Sequence, residues 1–292
     1  MQKSIRIALS IISLGVFTYS LVMIVEKYYS SYRDNRQYEQ LRVQVAEART
    51  TDIPKVKEQI FQIATPDAPV EDEKIQNNVP YEILSGDPVK LDENGVLKQY
   101  SELHMQNSDF IGWIEMPGFN KPIDYPVMQA EDNDFYLKRD FNKKHSISGT
   151  IFMDYTNNPR EDRNIVLYGH AMNDRTMFGD LMDFYREPDK YEKLTKIYLD
   201  FLDVQMEYEI FSTYTELQDY NYRQADFADD KEFMDFLIRI NDKSVYDYHV
   251  DLTPQDKILT LSTCNNKMGA EYRTVIHARL VTQTKYNNST AL

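Results

Sequence analysis

An uninterrupted apolar run lies close to the N-terminus. Residues 7–25 are 19 consecutive uncharged residues, which as a helix span about 28 Å, close to the ~30 Å hydrocarbon core of a bilayer. Glu26 and Lys27 follow directly, where a cleaved secretory signal would carry small residues. The pattern therefore favours an uncleaved membrane anchor over a cleaved signal peptide or a buried helix. Its orientation stays open because basic residues flank both ends of the run.

The segment after this run is polar and predicts a stalk. Residues 26–64 are rich in helix-forming Glu, Gln, Arg and Lys, so we expect a helix that breaks near Pro54. Proline and acidic residues without periodicity then predict a linker up to residue 80. The predicted divisions are a tail (1–6), an anchor (7–25), a stalk and linker (26–80) and a globular domain (81–292).

Short apolar runs separated by turns dominate the rest of the chain. They follow a predicted short helix at 97–107 and suggest a barrel or a sandwich of seven or eight strands. The inserted segment 229–241 differs, because its apolar residues recur at i, i+3, i+4 and i+7 and predict an amphipathic helix. The predicted strands are 111–116, 123–128, 149–154, 164–168, 196–204, 207–214, 257–263 and 274–283.

Composition excludes several classes of function. The chain of 292 residues has 33 Lys plus Arg against 47 Asp plus Glu, a net charge of −14, which argues against nucleic-acid binding. Its single cysteine excludes an intramolecular disulfide, a CxxC redox pair and a multi-thiolate metal site.

That cysteine, Cys264, ends the predicted strand 257–263. A lone cysteine is commonly a small buried side chain. However, a thiol at a strand end beside a polar loop, with Arg273 across a predicted hairpin, has the surroundings that lower a thiol pKa. The sequence therefore makes Cys264 a candidate nucleophile.

His170 is the candidate base. It follows the predicted strand 164–168 and Gly169, where the chain can turn so that the imidazole projects beyond the strand end. No pair of histidines has the spacing of metal ligands, so a Cys/His/Arg acyl-transfer site fits these residues better than a metal site. The remaining histidines are predicted to be structural or solvated: His104, His145, His249 and His277.

These residues also resemble a known family. Thr260–Cys264 (TLSTC) matches the TLxTC signature of sortases, and Ser262, the YGH segment 168–170 and Arg273 resemble the class B subfamily. Further similar stretches are FIGWIEMPG, IDYPVMQ, DNDFYL and GTIFMDY, so the resemblance covers about residues 97–283. It implies a mainly β, closed barrel of seven to eight strands with an inserted helix and N-terminal helices, and no cofactor or metal.

The resemblance also implies an activity. Class B sortases are cysteine transpeptidases (peptidase-like acyl transferases) anchored in the membrane of Gram-positive bacteria, with the N-terminus cytoplasmic and the catalytic domain outside. By this resemblance Cys264 attacks an LPxTG- or NPQTN-like sorting signal of a secreted protein to form a thioester, and a peptidoglycan cross-bridge amine then releases it. His170 acts as general acid and base, and Arg273 stabilises the oxyanion or holds the substrate backbone.

Matching positions suggest the residues that contact the substrate. They are Asn133, Leu137, Tyr168, Ser262 and Thr263. Tyr220 and Tyr222, which precede the predicted inserted helix, receive no assigned role.

Other functions remain open at this point. A class B pilus polymerase would use a pilin lysine as the acceptor, and a non-catalytic membrane-anchored scaffold would explain the anchor, the stalk and the acidity without chemistry. A papain-like protease is disfavoured because His170 precedes Cys264, and a caspase-like protease because the QAC pattern is missing.

Overall fold

The sheet closes on itself to form a barrel. The computed structural model describes residues 2–51, 80–85, 90–119, 121–184, 195–264, 269 and 271–286. Within them the strand order is β1-β9-β7-β6-β2-β3-β4-β5-β8, and β8 also pairs with β9. Strands β2 to β9 thus form a closed eight-stranded barrel, and β1 pairs in parallel with the end of β9. The strands are β1 Glu82–Ser85, β2 Phe110–Met116, β3 Ile123–Met128, β4 Ile151–Met153, β5 Asn164–Tyr168, β6 Lys196–Phe201, β7 Val204–Leu217, β8 Ile258–Cys264 and β9 Tyr272–Lys285.

Helices flank the barrel. They are α1 Gln2–Thr51, α2 Lys98–Gln106, α3 Leu181–Phe184 and α4 Asp230–Asn241. The predicted mainly β barrel with an inserted helix and an N-terminal helix is confirmed. The inserted helix, α4, begins after Asp229, whose carboxylate accepts a hydrogen bond from the Glu232 amide at 2.8 Å.

Alternating side chains of β8 serve two separate cores. Leu259 and Leu261 belong to the core inside the barrel, whereas Ile258 belongs to a second core on the outer face. The apolar face of α4 covers this outer core with Phe233 and Leu237, both fully buried. Because successive side chains of a strand point to opposite faces, one short strand can join both cores.

Helix α1 is one unbroken element with two different halves. Its apolar N-terminal part is exposed, and α1 is long and apolar enough to cross a membrane. The other half packs on the barrel through Tyr38, Leu41 and Val45, and Arg49 contacts Glu115 at 2.5 Å. Part of the predicted stalk therefore lies against the globular domain, while the domain boundaries themselves stay predictions. The predicted break at Pro54 and nearly all of the predicted linker lie outside the described residues.

Candidate active site

Three neighbouring chain segments bring the candidate catalytic residues to one level of the barrel. Strand β5 runs parallel to β8 with Tyr168 opposite Ser262, and β8 runs antiparallel to β9 with Cys264 opposite Arg273. His170 and Cys264 each lie two residues after the Tyr168–Ser262 pair, so they are at the same end of the barrel. Neighbouring strands lie about 4.8 Å apart, so the backbone of Cys264 lies between those of His170 and Arg273. The Cys264 side chain and residues 265–268 of the predicted loop 265–269 lie outside the described part of the chain.

The imidazole of His170 is held by a backbone carbonyl. Its Nε2 lies 2.8 Å from the Leu137 carbonyl oxygen. A carbonyl oxygen can only accept, so Nε2 carries a proton. The ring is half-buried. Gly169 is needed before it, because a Cβ there would lie 2.8 Å from the Phe178 ring. The site therefore has a histidine with a proton on a defined nitrogen.

Gly149 in turn shapes the loop that carries Leu137. Its φ of +58° lies in the left-handed region, and a Cβ there would lie 2.6 Å from the Tyr136 carbonyl oxygen and 2.8 Å from that of Leu137. Only glycine meets both conditions without strain. The acceptor of the His170 hydrogen bond thus depends on the tight packing of Gly149.

Arg273 is oriented by contacts on the β7 side. Its Nη2 donates to Gln218 Oε1 at 2.7 Å, and its Nη1 donates to the Tyr272 carbonyl at 3.0 Å. The side chain is only partly buried. Arg273, whose guanidinium carries several N–H donors, therefore lies on the strand next to that of Cys264.

Two predicted substrate residues meet at an unpredicted carboxylate, Asp154. Tyr168 Oη donates to Asp154 Oδ2 at 2.7 Å, and Asn133 Nδ2 donates to the same oxygen at 3.1 Å. Burial alone would raise the pKa of Asp154, but these hydrogen bonds and those from Thr156 hold it below its usual value. Burial, followed by the Asp154 charge, raises the pKa of Tyr168, so its hydroxyl remains a donor.

Two of the other predicted substrate residues lie deeper. Ser262 and Thr263 are each 2% exposed, and Ser262 Oγ lies 2.9 Å from Tyr222 Oη. Thr263 Oγ1 makes no hydrogen bond with the described part of the chain. Leu137 is partly buried and packs on the barrel core. Ser262 and Thr263 of β8 are therefore buried and do not line an open groove.

Sequence reasoning missed three polar side chains at this end of the barrel. Asp154 was visible as a carboxylate at the end of a predicted strand. Arg223 forms a hydrogen bond with Tyr168, and Gln218 holds Arg273. Both belong to the connection between β7 and α4, where no periodic pattern indicates which side chains point to the site.

A buried histidine is linked by hydrogen bonds to the connection between β7 and α4. His277 is fully buried, with Nε2 2.8 Å from Tyr214 Oη and Nδ1 2.8 Å from Thr260 Oγ1. Thr260 donates its hydroxyl to Asn164 Oδ1, and the Asn164 amide donates to the Gln224 carbonyl. Burial lowers the pKa of His277 to about 3, so the ring is neutral. The chain of hydrogen bonds therefore links β9 to the segment next to Arg223.

Comparisons with known proteins agree with this architecture. The family model described as the Sortase domain matches residues 114–281. A curated Sortase B of Listeria monocytogenes is 33% identical over 204 residues, which are 69% of this chain and 82% of that protein. Sortase B of Staphylococcus aureus is 35% identical over 188 residues, which are 64% of this chain and 76% of that protein.

Solved structures give the same result. The Staphylococcus aureus sortase B–substrate complex has a TM-score of 0.66 at 28% identity and covers 87% of this chain and 98% of that one. The structure of sortase B from Bacillus anthracis in complex with AAEK1 has a TM-score of 0.65 at 30% identity, with 87% and 99% covered.

Proposed function

Because the chain belongs to the class B branch of the sortase family, whose members are cysteine transpeptidases, we propose that it cleaves an LPxTG- or NPQTN-like sorting signal through a Cys264 thioester. The acyl group then passes to a cell-wall amine. The observation that carries this proposal is the common level of His170, Cys264 and Arg273 on neighbouring segments of one barrel end.

Acylation uses all three residues. The Cys264 thiolate attacks the scissile carbonyl, and the oxyanion that forms is stabilised by the Arg273 guanidinium. When the C–N bond breaks, the leaving amine takes a proton from the His170 imidazolium. The product is a thioester on Cys264 and a neutral His170.

Deacylation reverses these roles. An incoming amine attacks the thioester carbonyl and gives its proton to neutral His170. The carbon–sulfur bond then breaks, the Cys264 thiolate leaves, and a new amide joins the acyl group to the acceptor. No net oxidation occurs, and one amide replaces another.

The substrate would lie along the polar surface beside His170. Asn133, Tyr168 and Asp154 form a hydrogen-bonded cluster there, and these groups suit the polar backbone and side chains of a peptide. Leu137 adds partly buried apolar surface next to the same histidine. We assign the first residues of the sorting signal to this region.

The exposed apolar part of α1 supports a location at the cell membrane. A single-pass anchor with the N-terminus in the cytoplasm would place the barrel outside, where sorting signals and wall acceptors meet. A pilin lysine is the alternative acceptor amine.

The test uses the full chain reconstituted in lipid nanodiscs. Fluorogenic LPxTG and NPQTN peptides are offered with triglycine, with a lysine peptide or with no amine. We expect cleavage of one peptide, an amide product with one amine, and loss of both in Cys264→Ala and His170→Ala. His249→Ala is the matched control, because His249 is exposed. Undiminished cleavage by Cys264→Ala would contradict the thioester.

A further inference from the structure

We infer that the barrel docks directly on the surface of the bilayer that α1 enters, through a juxtamembrane surface that recognises anionic lipid headgroups. This surface consists of α1 residues 27–36 and the barrel loop 138–147. The inference rests on the proposed membrane anchoring and adds a second, non-covalent contact that fixes the orientation of the barrel.

Helix α1 connects the apolar segment directly to the barrel. The helix runs without a break from the apolar segment into the half that packs on the barrel. Arg33 Nη2 donates to the His145 carbonyl at 2.6 Å, and Ser146 Oγ donates to the buried Asp34 at 2.6 Å. Arg33 is only eight residues beyond Val25, about 12 Å along the helix axis. The loop is therefore fixed close to the end of the apolar run.

Ile147 of the barrel loop lies close to the end of the apolar run. Met23 and Ile24, at the end of the apolar run, line one recess together with His145 and Ile147 of the barrel loop. Ile147 is 39% exposed. The headgroup region extends roughly 5–7 Å beyond the hydrocarbon core on each side. A loop that shares a recess with Ile24 therefore lies at the level of that region.

Exposed tyrosines of α1 also lie at the level of the lipid headgroups. Tyr28, Tyr29 and Tyr32 are 75%, 67% and 60% exposed, and they follow the apolar run within two turns. Tyrosine rings with one apolar and one polar end collect at membrane interfaces. Their exposure has an explanation if lipid headgroups surround them.

The charge of the juxtamembrane surface indicates that its lipid partners are anionic. The loop 138–147 contains four basic residues, at 138, 139, 143 and 144, against the single acidic Asp140, in a chain whose net charge is −14. One of the four, Lys143, pairs with Asp109 at 2.9 Å. Lys27 and Arg36 add two basic residues on the α1 part of the juxtamembrane surface. Basic clusters next to a membrane span attract anionic headgroups.

The experiment measures how close single sites come to lipid. Full-length chains in the Cys264→Ala background receive one new cysteine, Ile147→Cys, Leu14→Cys or Ile238→Cys, each labelled with NBD and reconstituted in vesicles. The vesicles contain phosphatidylcholine with 30% phosphatidylglycerol, or phosphatidylcholine alone, plus a quencher lipid. The quencher carries its doxyl group near the headgroup for positions 147 and 238, and deep in the acyl chain for position 14. Ile238 is a matched control because it is an isoleucine, 47% exposed, on α4, which packs on β7.

We expect at least threefold stronger quenching at position 147 than at position 238 in the anionic vesicles. Lys144→Glu should reduce the quenching at position 147 at least twofold, whereas Lys231→Glu on α4 should not. Quenching at position 14 with none at position 147 would overturn the docking and leave the anchor intact. No quenching at position 14 would overturn both. Equal quenching at position 147 in both kinds of vesicle would overturn the assignment to anionic headgroups.

Discussion

Arg273 pairs with Cys264 across β8 and β9, and its partly buried guanidinium donates to Gln218. A tetrahedral intermediate concentrates negative charge on one oxygen. A fixed cation with several N–H donors stabilises that charge more than the neutral carbonyl of the substrate, which lowers the barrier to acylation. Lysine offers one compact charge and cannot reproduce the planar fork.

Arg273→Ala should therefore lower kcat/KM about 100- to 1,000-fold, as removal of one oxyanion donor does elsewhere. We expect Arg273→Lys to recover only a small part of this loss. Peptide cleavage kinetics measure both values, and thermal unfolding checks that the variants fold. Arg160→Ala is the control, because Arg160 is exposed and pairs with Asp203. Full activity in Arg273→Ala would remove Arg273 from the mechanism.

His277 makes the stability of the fold depend on pH. Its folded pKa of about 3 lies below the usual 6.5, so the unfolded chain binds the extra proton as pH falls from 6.5 towards 3. The stabilisation is fully present above pH 6.5 and is lost below it. Asp200 has the opposite sign, because burial raises its pKa to about 6 and folding then favours the protonated carboxyl.

Comparison with His277→Gln separates these two contributions. Between pH 7 and pH 5 the free energy of unfolding of the wild-type chain should fall about 2 kcal/mol more than that of His277→Gln. Urea unfolding at both pH values measures the difference. The exposed His249→Gln should behave like the wild type, and an identical pH dependence in His277→Gln would show that His277 does not stay neutral.

Helix α1 holds the barrel through one hydroxyl group as well as through apolar packing. Tyr38 Oη donates to the Gly149 carbonyl at 2.6 Å and lies 3.0 Å from Thr150 Oγ1. Tyr38→Phe leaves these buried groups without that partner and should lower the free energy of unfolding by about 1–2 kcal/mol. Tyr32→Phe, on the exposed side of α1, should change it little. Chemical denaturation of both variants in detergent is the measurement.

The elements differ in how well the sequence predicts them, and the apolar stripe of α1 is one that it did not predict. Tyr38, Leu41 and Val45 are spaced by three and four residues, a helical signal present in the sequence, yet the polar residues around them favoured a free stalk. Strands β3 and β5 agree with their predicted bounds because turns enclose their apolar runs. Strand β1 was missed, since four residues at the edge of a sheet leave too short a pattern.

Some residues of the candidate site could be predicted from the sequence and others could not. His170, Cys264 and Arg273 could be selected from strand-end positions and a motif, because register follows from the alternation of the strands. The partners of Arg273 and Tyr168 could not, because Gln218 and Arg223 reach them from an irregular connection. Contacts of that kind depend on how the chain packs in three dimensions.

A continuous set of contacts joins the membrane helix to the candidate active site. Tyr38 of α1 bonds the Gly149 carbonyl, and Gly149 packs closely against the Leu137 carbonyl that holds His170. Arg49, at the other end of the packed half of α1, pairs with Glu115 of β2. The barrel and this half of α1 therefore form one structural unit.

Shortened chains test whether this half of α1 belongs to that unit. A chain that begins at residue 27 keeps Tyr38, Leu41 and Val45, each buried against the barrel, and should keep its Tm and its peptide cleavage in solution. A chain that begins at residue 52 loses them. Burial of each such side chain contributes roughly 1.5–3 kcal/mol, so this chain should unfold at a Tm many degrees lower and expose apolar surface. Differential scanning calorimetry and dye binding measure both effects; equal Tm values would mean that α1 stabilises nothing. Since Tyr38 of α1 bonds the carbonyl of Gly149, which packs against the Leu137 carbonyl, the shorter chain should also cleave more slowly at temperatures well below its Tm.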